Sequence, residues 1–232
     1  MPDWPWLMTQ TWNDLLFAHW PMDVVRLRPL IPRAFDIDLF DGTSWIGVVP
    51  FHMTNVGARG LPLLPRVAAF PELNVRTYVR VGDRPGVYFF SLDAASVAAV
   101  RTARALLNLP YYAASMTVES NGPAIVYRSA RSSGPAAEFQ GTYEPIDEPF
   151  SPRVGTLEYF LTERYCLYNV DRRGNPYRLD IHHPVWRLQA ARAELERNTM
   201  TIPCGVPLPD QPPLLHFAKR QDAVAWGPRS VR

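Results

Sequence analysis

Lysine is nearly missing from this chain: Lys219 is the only one among its 24 basic residues, so chemistry built on an amine nucleophile has a single candidate. Cysteine is almost as scarce. Cys166 and Cys204 stand far apart with no CxxC pairing, which argues against a zinc site and fits a reduced, cytoplasmic protein without structural disulfides. An excess of one charge is also lacking, since 22 acidic residues offset the basic ones and the formal net charge is only +2. Without a basic stripe, nucleic acid is not an expected partner. No apolar run approaches the roughly 18 residues of a membrane span. The aromatic start, MPDWPWLMTQTWNDLLFAHW, has neither a basic opening nor a small-residue cleavage site, so no signal peptide and a soluble protein are expected. There is no GxGxxG, GxxxxGK, GxSxG or HExxH. The usual nucleotide, acyl-transfer and zinc-protease signatures therefore fail, and no cofactor is implied.

What is present is a chain of 232 residues, 47% hydrophobic and 12% aromatic, long enough for one sizeable core and expected to form a single domain over 1–232. Its 24 prolines favour many short elements over long helices. Thr11 to Trp20 is open between strand and helix, and Pro21 with Asp23 opens a short helical turn that Pro29 and Pro32 close. Three hairpins are signalled. FDIDLF and TSWIGVVPFHM flank Asp41-Gly42, MTVES and PAIVYRSAR flank Asn121-Gly122, and CLYNV and YRLDIHH flank the loop from Asp171 to Pro176. Helical spacing is seen at 97–108, at 156–165 and at 189–197. The segment 200–215 reads as a proline-rich surface stretch leading into a last strand, HFAKRQDAVAWG. Mainly antiparallel β structure with a few peripheral helices follows, a barrel or a sandwich being equally compatible.

The segment FPELNVRTYVR, from Phe70 to Arg80, carries the most chemical information. Side chains along a strand alternate between faces, so Glu72, Asn74, Arg76, Tyr78 and Arg80 form one row and Leu73, Val75, Thr77 and Val79 the other. The polar row is either a solvated face or the lining of a cavity. The next strand, VYFFSLDA, is bulky enough to be buried on both sides. Glu158, Glu163 and Arg164 sit in the aromatic stretch GTLEYFLTERYCLY. If buried they need partners, such as Arg76 or His183, because an unpaired charge is costly inside a protein. His182 and His183 are adjacent and so face opposite ways in a strand, which makes a shared metal ion an unfavourable reading; no metal is expected, and His183 is a candidate hydrogen-bonding group. His19, His52 and His216 stand alone and read as core or surface residues.

FPELNVRTYV, RPGVYFFSLDA, LPYYAASM, GTLEYFLTERYCLY and DIHHPVW together resemble the uncharacterised bacterial YqjF-like family, which is grouped with the acetoacetate-decarboxylase-like fold; the resemblance runs from about Trp12 to Arg187. It implies a barrel-like or cone-like antiparallel sheet. Leu30 to Ile37 is similar to the decarboxylases' proline-marked passage from helix into strand, and Phe70-Pro71-Glu72 to the place where they carry an active-site glutamate. Leu109-Pro110-Tyr111-Tyr112 falls where they have an aromatic-Pro-Lys-Lys motif. A phenol cannot form an imine, so Tyr111 and Tyr112 do not inherit Schiff-base chemistry, and Lys219 replaces the amine only if it reaches the same cavity. On this resemblance Glu72 and Arg76 are the candidate catalytic pair, with Asn74, Tyr111, Tyr112, Glu158, Arg164 and His183 as candidate ligand-binding residues for a small organic acid or keto compound. The alternative is a non-catalytic protein in which Glu72, Arg76, Glu158 and Arg164 form an internal ion network. Homo-oligomers are compatible with the seven tryptophans and the apolar strands.

Overall fold

Alternating apolar positions and two-residue turns carry most of the described residues into a single sheet of thirteen strands. The computed structural model describes residues 2–60 and 69–231. In chain order the strands are β1 (Met8–Met22), β2 (Asp36–Ile37), β3 (Ser44–Ala58), β4 (Phe70–Val81), β5 (Arg84–Ala94), β6 (Tyr111–Asn121) and β7 (Ala124–Arg131). They continue with β8 (Glu138–Pro145), β9 (Cys166–Val170), β10 (Pro176–His182), β11 (Gln189–Asn198), β12 (Leu214–Ala225) and β13 (Arg229–Ser230). Among the described residues three α-helices interrupt them: α1 (Val24–Leu27), α2 (Val97–Leu107) and α3 (Leu157–Thr162). Side-chain oxygens of Asp23, Ser96 and Thr156 cap their first turns, each accepting from a backbone N–H that would otherwise lack a partner.

The strand pairings run in a ring, from β5 through β4, β3, β1, β12, β10 and β9 back to β5. A second path leaves β5 through β6, β7, β8 and β11 and rejoins at β12. Every pairing is antiparallel except those of β5 with β6 and with β9. Successive residues divide between two apolar layers. Leu16, Val48, Leu73 and Val75 pack on one side with Tyr127 and Phe139, whereas Phe17, Val49 and Phe51 pack on the other with Trp186 and Leu188.

The strand at 8–22 settles the ambiguity of Thr11 to Trp20, and the helical turn, α2, α3 and the hairpin of β9 with β10 stand where the sequence puts them. Five expectations change. Residues 189–197 form β11 rather than a helix: Ala191, Ala193 and Leu195 meet the core with period two, and pairing with β8 outweighs local helix preference. Asp41 and Gly42 both take positive φ, 47° and 78°, as a type I′ turn requires. Yet only Phe40 and Thr43 bridge across it, because β3 is already flanked by β1 and β4, and Asp36-Ile37 pairs with β4 instead. In the second hairpin the two-residue loop is Gly122-Pro123, with Gly122 first at φ 61°, the arrangement of a type II′ turn. Within the proline-rich segment Met200, Thr201 and Val206 are buried, and β13 follows the strand read as the last.

Candidate functional site

β4 turns its polar row inward. Glu72, Asn74 and Tyr78 are buried and Arg76 is half-buried; only Arg80, at the strand's end, is exposed, so the first four do not form a solvated face. Cross-strand register extends the row sideways. Arg76 lies opposite Gly47 on β3, and Gly47 lies opposite His19 on β1, so all three share one face. Gly47 is required there: a Cβ would sit 2.9 Å from the His19 ring, and the missing side chain lets the imidazole approach the arginine. On β12, His216 lies opposite Phe17 and joins the same face.

Glu72 occupies the apolar end. At 3% exposure its carboxyl receives one side-chain hydrogen bond, from the Tyr111 hydroxyl to Oε2 at 2.9 Å, and no cation pairs with it among the described residues. Burial pushes its pKa up to about 8; the Tyr111 bond opposes the rise and nearby Asp93 adds to it. The group is therefore a neutral acid at pH 7.

Arg76 is the converse, a charge without a counter-ion among the described residues. Its Nη2 donates to the Leu161 carbonyl at 3.0 Å and to Tyr78 Oη at 3.3 Å, and the guanidinium lies over the Phe17 ring at 5.4 Å. Leu161 is near the C-terminal end of α3, where unpaired carbonyls present partial negative charge. Tyr78 also contacts His19 Nε2 at 2.6 Å and donates to Leu161 at 2.8 Å. Desolvation, then the charge of Arg76, hold His19 well below its ordinary pKa; desolvation likewise lowers His216. Both imidazoles are neutral at pH 7. On this face His19 Nδ1, Asn74 Oδ1, Arg76 Nε and His216 Nδ1 are buried with no hydrogen-bond partner among the described residues. Such groups are expensive to bury unmet, and four of them lie on this one face.

The remaining candidates divide. Tyr111 reaches Glu72, but Tyr112 points to the opposite face of the sheet, where the Arg131 guanidinium stacks on its ring at 4.0 Å. Arg164 approaches the Tyr78 ring at 5.1 Å but is matched by Asp38 at 2.6 Å. Glu158 is half-buried near His216 and joins no ion pair among the described residues. Glu72, Arg76, Glu158 and Arg164 thus do not form one ion network, since the arginines find a carbonyl and Asp38 rather than the two glutamates. His183 is buried with no hydrogen bond to Glu72 or Arg76 among the described residues; it is stacked on Tyr165 at 4.6 Å, with its ring nitrogens against the carbonyls of Pro184 and Arg164. Glu163 accepts from the Trp186 backbone N–H at 2.9 Å and from Tyr165. Lys219 is 74% exposed and pairs with Asp14 at 2.6 Å, away from the inward row. No group of three metal-ligating side chains converges among the described residues, and none of their helices is long and apolar enough to cross a membrane.

His19 and His216 are the residues that sequence reading passed over. Nothing in their own strands distinguishes them; the one available signal is Gly47, a glycine inside an otherwise bulky strand, which marks a close approach from a neighbour.

Comparison with known proteins fits this geometry into a family. Residues 9–222 match the DUF2071 family of uncharacterized conserved proteins. The chain is 50% identical over 226 residues to the uncharacterized protein YqjF of Bacillus subtilis (strain 168), spanning 97% of this chain and 93% of that one. Among solved structures it superposes on an acetoacetate decarboxylase-like enzyme from Sphingomonas wittichii RW1, with a TM-score of 0.67 at 14% identity over 99% of this chain and 94% of that one. It also superposes on the enduracididine biosynthesis enzyme MppR, solved with pyruvate, with a TM-score of 0.66 at 10% identity over 98% and 91% of the two chains. At such identities the structural likeness concerns the fold. The mainly β sheet with few helices is acetoacetate decarboxylase-like, and the chain belongs to the DUF2071 family.

Proposed function

We propose that the inward face of β4 binds a small keto acid or related organic anion in the hollow of a barrel-like sheet, and that it does so without a Schiff base. Arg76 takes the carboxylate, Glu72 exchanges a proton with the carbonyl end, and Tyr111 orients Glu72. The observation that carries this reading is a half-buried guanidinium with no carboxylate partner among the described residues, on one face with a buried carboxyl that has no cation. Each group is what the other end of a keto acid would meet. Four residues of strand separate their backbones by about 13 Å. Asn74 lies between them on the same face. The pyruvate complex of MppR supports the choice of ligand class, since a two-ended keto acid is accommodated on a similar fold.

The missing amine sets the chemistry. With tyrosines at 111 and 112 and Lys219 turned outward, no imine stores the electrons of a departing carboxylate, so decarboxylation by that route is not expected. Proton removal beside the keto group remains available. Glu72 as carboxylate takes the proton from carbon, the electron pair moves onto the keto oxygen, and the neutral acid returns the proton. Deuterium exchange into the methyl group of pyruvate, followed by NMR, tests this. Exchange rising with pH through about 8 and abolished in Glu72→Gln supports the proposal. Binding of pyruvate and acetoacetate with no exchange favours a non-catalytic binder, and no binding of either refutes the ligand class.

A further inference from the structure

Away from the face of Glu72, β5 changes partners. Val87 and Tyr88 pair with Leu167 and Tyr168 of β9, whereas Leu92 to Ala94 pair with Tyr111 to Ala113 of β6. Between the two the sheet forks, and a bulge lets Phe89, Phe90 and Ser91 oppose only Arg76 and Val75 on β4. A cavity of about 210 Å³ opens at this fork, lined by Tyr88, Phe90, Ser91, Asn108, Tyr112 and Asn169 among others. Ser91 is opposite Val75 and Tyr112 is opposite Asp93, which places them on the reverse side from Asn74, Leu92 and Tyr111.

The cavity is built rather than left over. Arg131 holds Asp93 with two bonds of 2.7 and 2.8 Å, both side chains at 1% exposure or less, and its guanidinium fixes the Tyr112 ring at 4.0 Å. That pair cancels its own charge, so the wall offers an anion nothing beyond a neutral surface. The Ser91 hydroxyl, 1% exposed, has no nitrogen or oxygen partner among the described residues and adjoins the Cys204 thiol. Asn108 and Asn169 both commit their amide nitrogens, to the carbonyls of Val170 and of Asn108 at 2.9 Å each. Neither amide oxygen receives a hydrogen bond among the described residues, leaving acceptors to spare. Aromatic rings, unengaged acceptors, a buried hydroxyl and balanced charge describe the complement of one kind of molecule.

We infer that this fork is a second binding site, distinct from the inward row, for a small neutral planar compound bearing N–H donors, of the class of aromatic amides and amino-heterocycles. Its volume suits a single ring with one polar substituent. Cys204 lines the same cavity, while burial raises its thiol to about 11, so it reports on occupancy rather than reacting with the ligand.

Benzamide and benzoate, of equal shape but different charge, are the test probes for the intact protein. Modification of Cys204 by methyl methanethiosulfonate, followed by mass spectrometry, should slow by about tenfold at saturating benzamide and stay unchanged with benzoate. Ser91→Ala, which removes the hydroxyl and adds no bulk, should weaken benzamide about tenfold by ligand-observed NMR. Glu72→Gln should leave benzamide protection intact, which separates this site from the proposed keto-acid site. Benzamide that fails to protect Cys204, or benzoate that protects equally, overturns the inference even if Ser91→Ala does not fold.

Discussion

The Tyr111 hydroxyl donates to Glu72 Oε2 at 2.9 Å, and this bond is the only side-chain support of a carboxyl sunk in the sheet among the described residues. Unfolded, that carboxyl loses its proton near 4.5, while folded it keeps it until about 8. Between those values the native state binds one more proton than the unfolded state, so stability falls as pH rises through the window and levels above it. Glu72→Gln cannot ionise. Its stability relative to wild type should therefore climb by roughly 1 to a few kcal/mol between about pH 5 and about pH 9 in urea denaturation. A difference independent of pH would show that Glu72 ionises normally.

His19 works in the other direction. Its folded pKa lies well below 6.5, so below that pH the unfolded chain takes up a proton that the native state refuses, and stability drops on acidification. His19→Asn should make the acid limb shallower by about one proton. The other buried histidines keep part of the slope, and an unchanged limb would contradict the assignment.

Gly47 marks the crossing of His19 and Arg76. Gly47→Ala places a methyl 2.9 Å from the imidazole and should cost about 1–3 kcal/mol in thermal or urea unfolding. In the background His19→Ala most of that cost should vanish, because the clashing ring is gone. Equal costs in both backgrounds would deny the contact.

Asp93 and Arg131 form a fully buried pair, and removing one partner strands the other's charge. Asp93→Asn should destabilise by about 3–5 kcal/mol, and Arg131→Met with Asp93→Leu together by clearly less than either alone. Lys219→Ala, by contrast, breaks an exposed pair with Asp14 and should change stability by less than about 1 kcal/mol.

How far the sequence reveals this depends on whether a signal is local. The polar row of β4 is legible because period-two alternation is written within one strand, and the Asp41-Gly42 turn because only certain residues accept positive φ. Residues 189–197 mislead because their alanines and arginines favour helix in isolation, and pairing with β8 is invisible in the chain itself. The same limit hides His19 and His216, whose significance is their register against Gly47 and Phe17. It also hides the choice of Arg164 for Asp38, a partner 126 positions away.

The central claim is that Arg76 is held ready for a ligand carboxylate, and calorimetric titration of pyruvate and acetoacetate into wild type and Arg76→Met tests it most directly. Saturable binding that weakens by about 10- to 100-fold in the variant, with folding retained, is the predicted result. Equal affinity in both proteins, or no binding to wild type at millimolar concentrations, would contradict it.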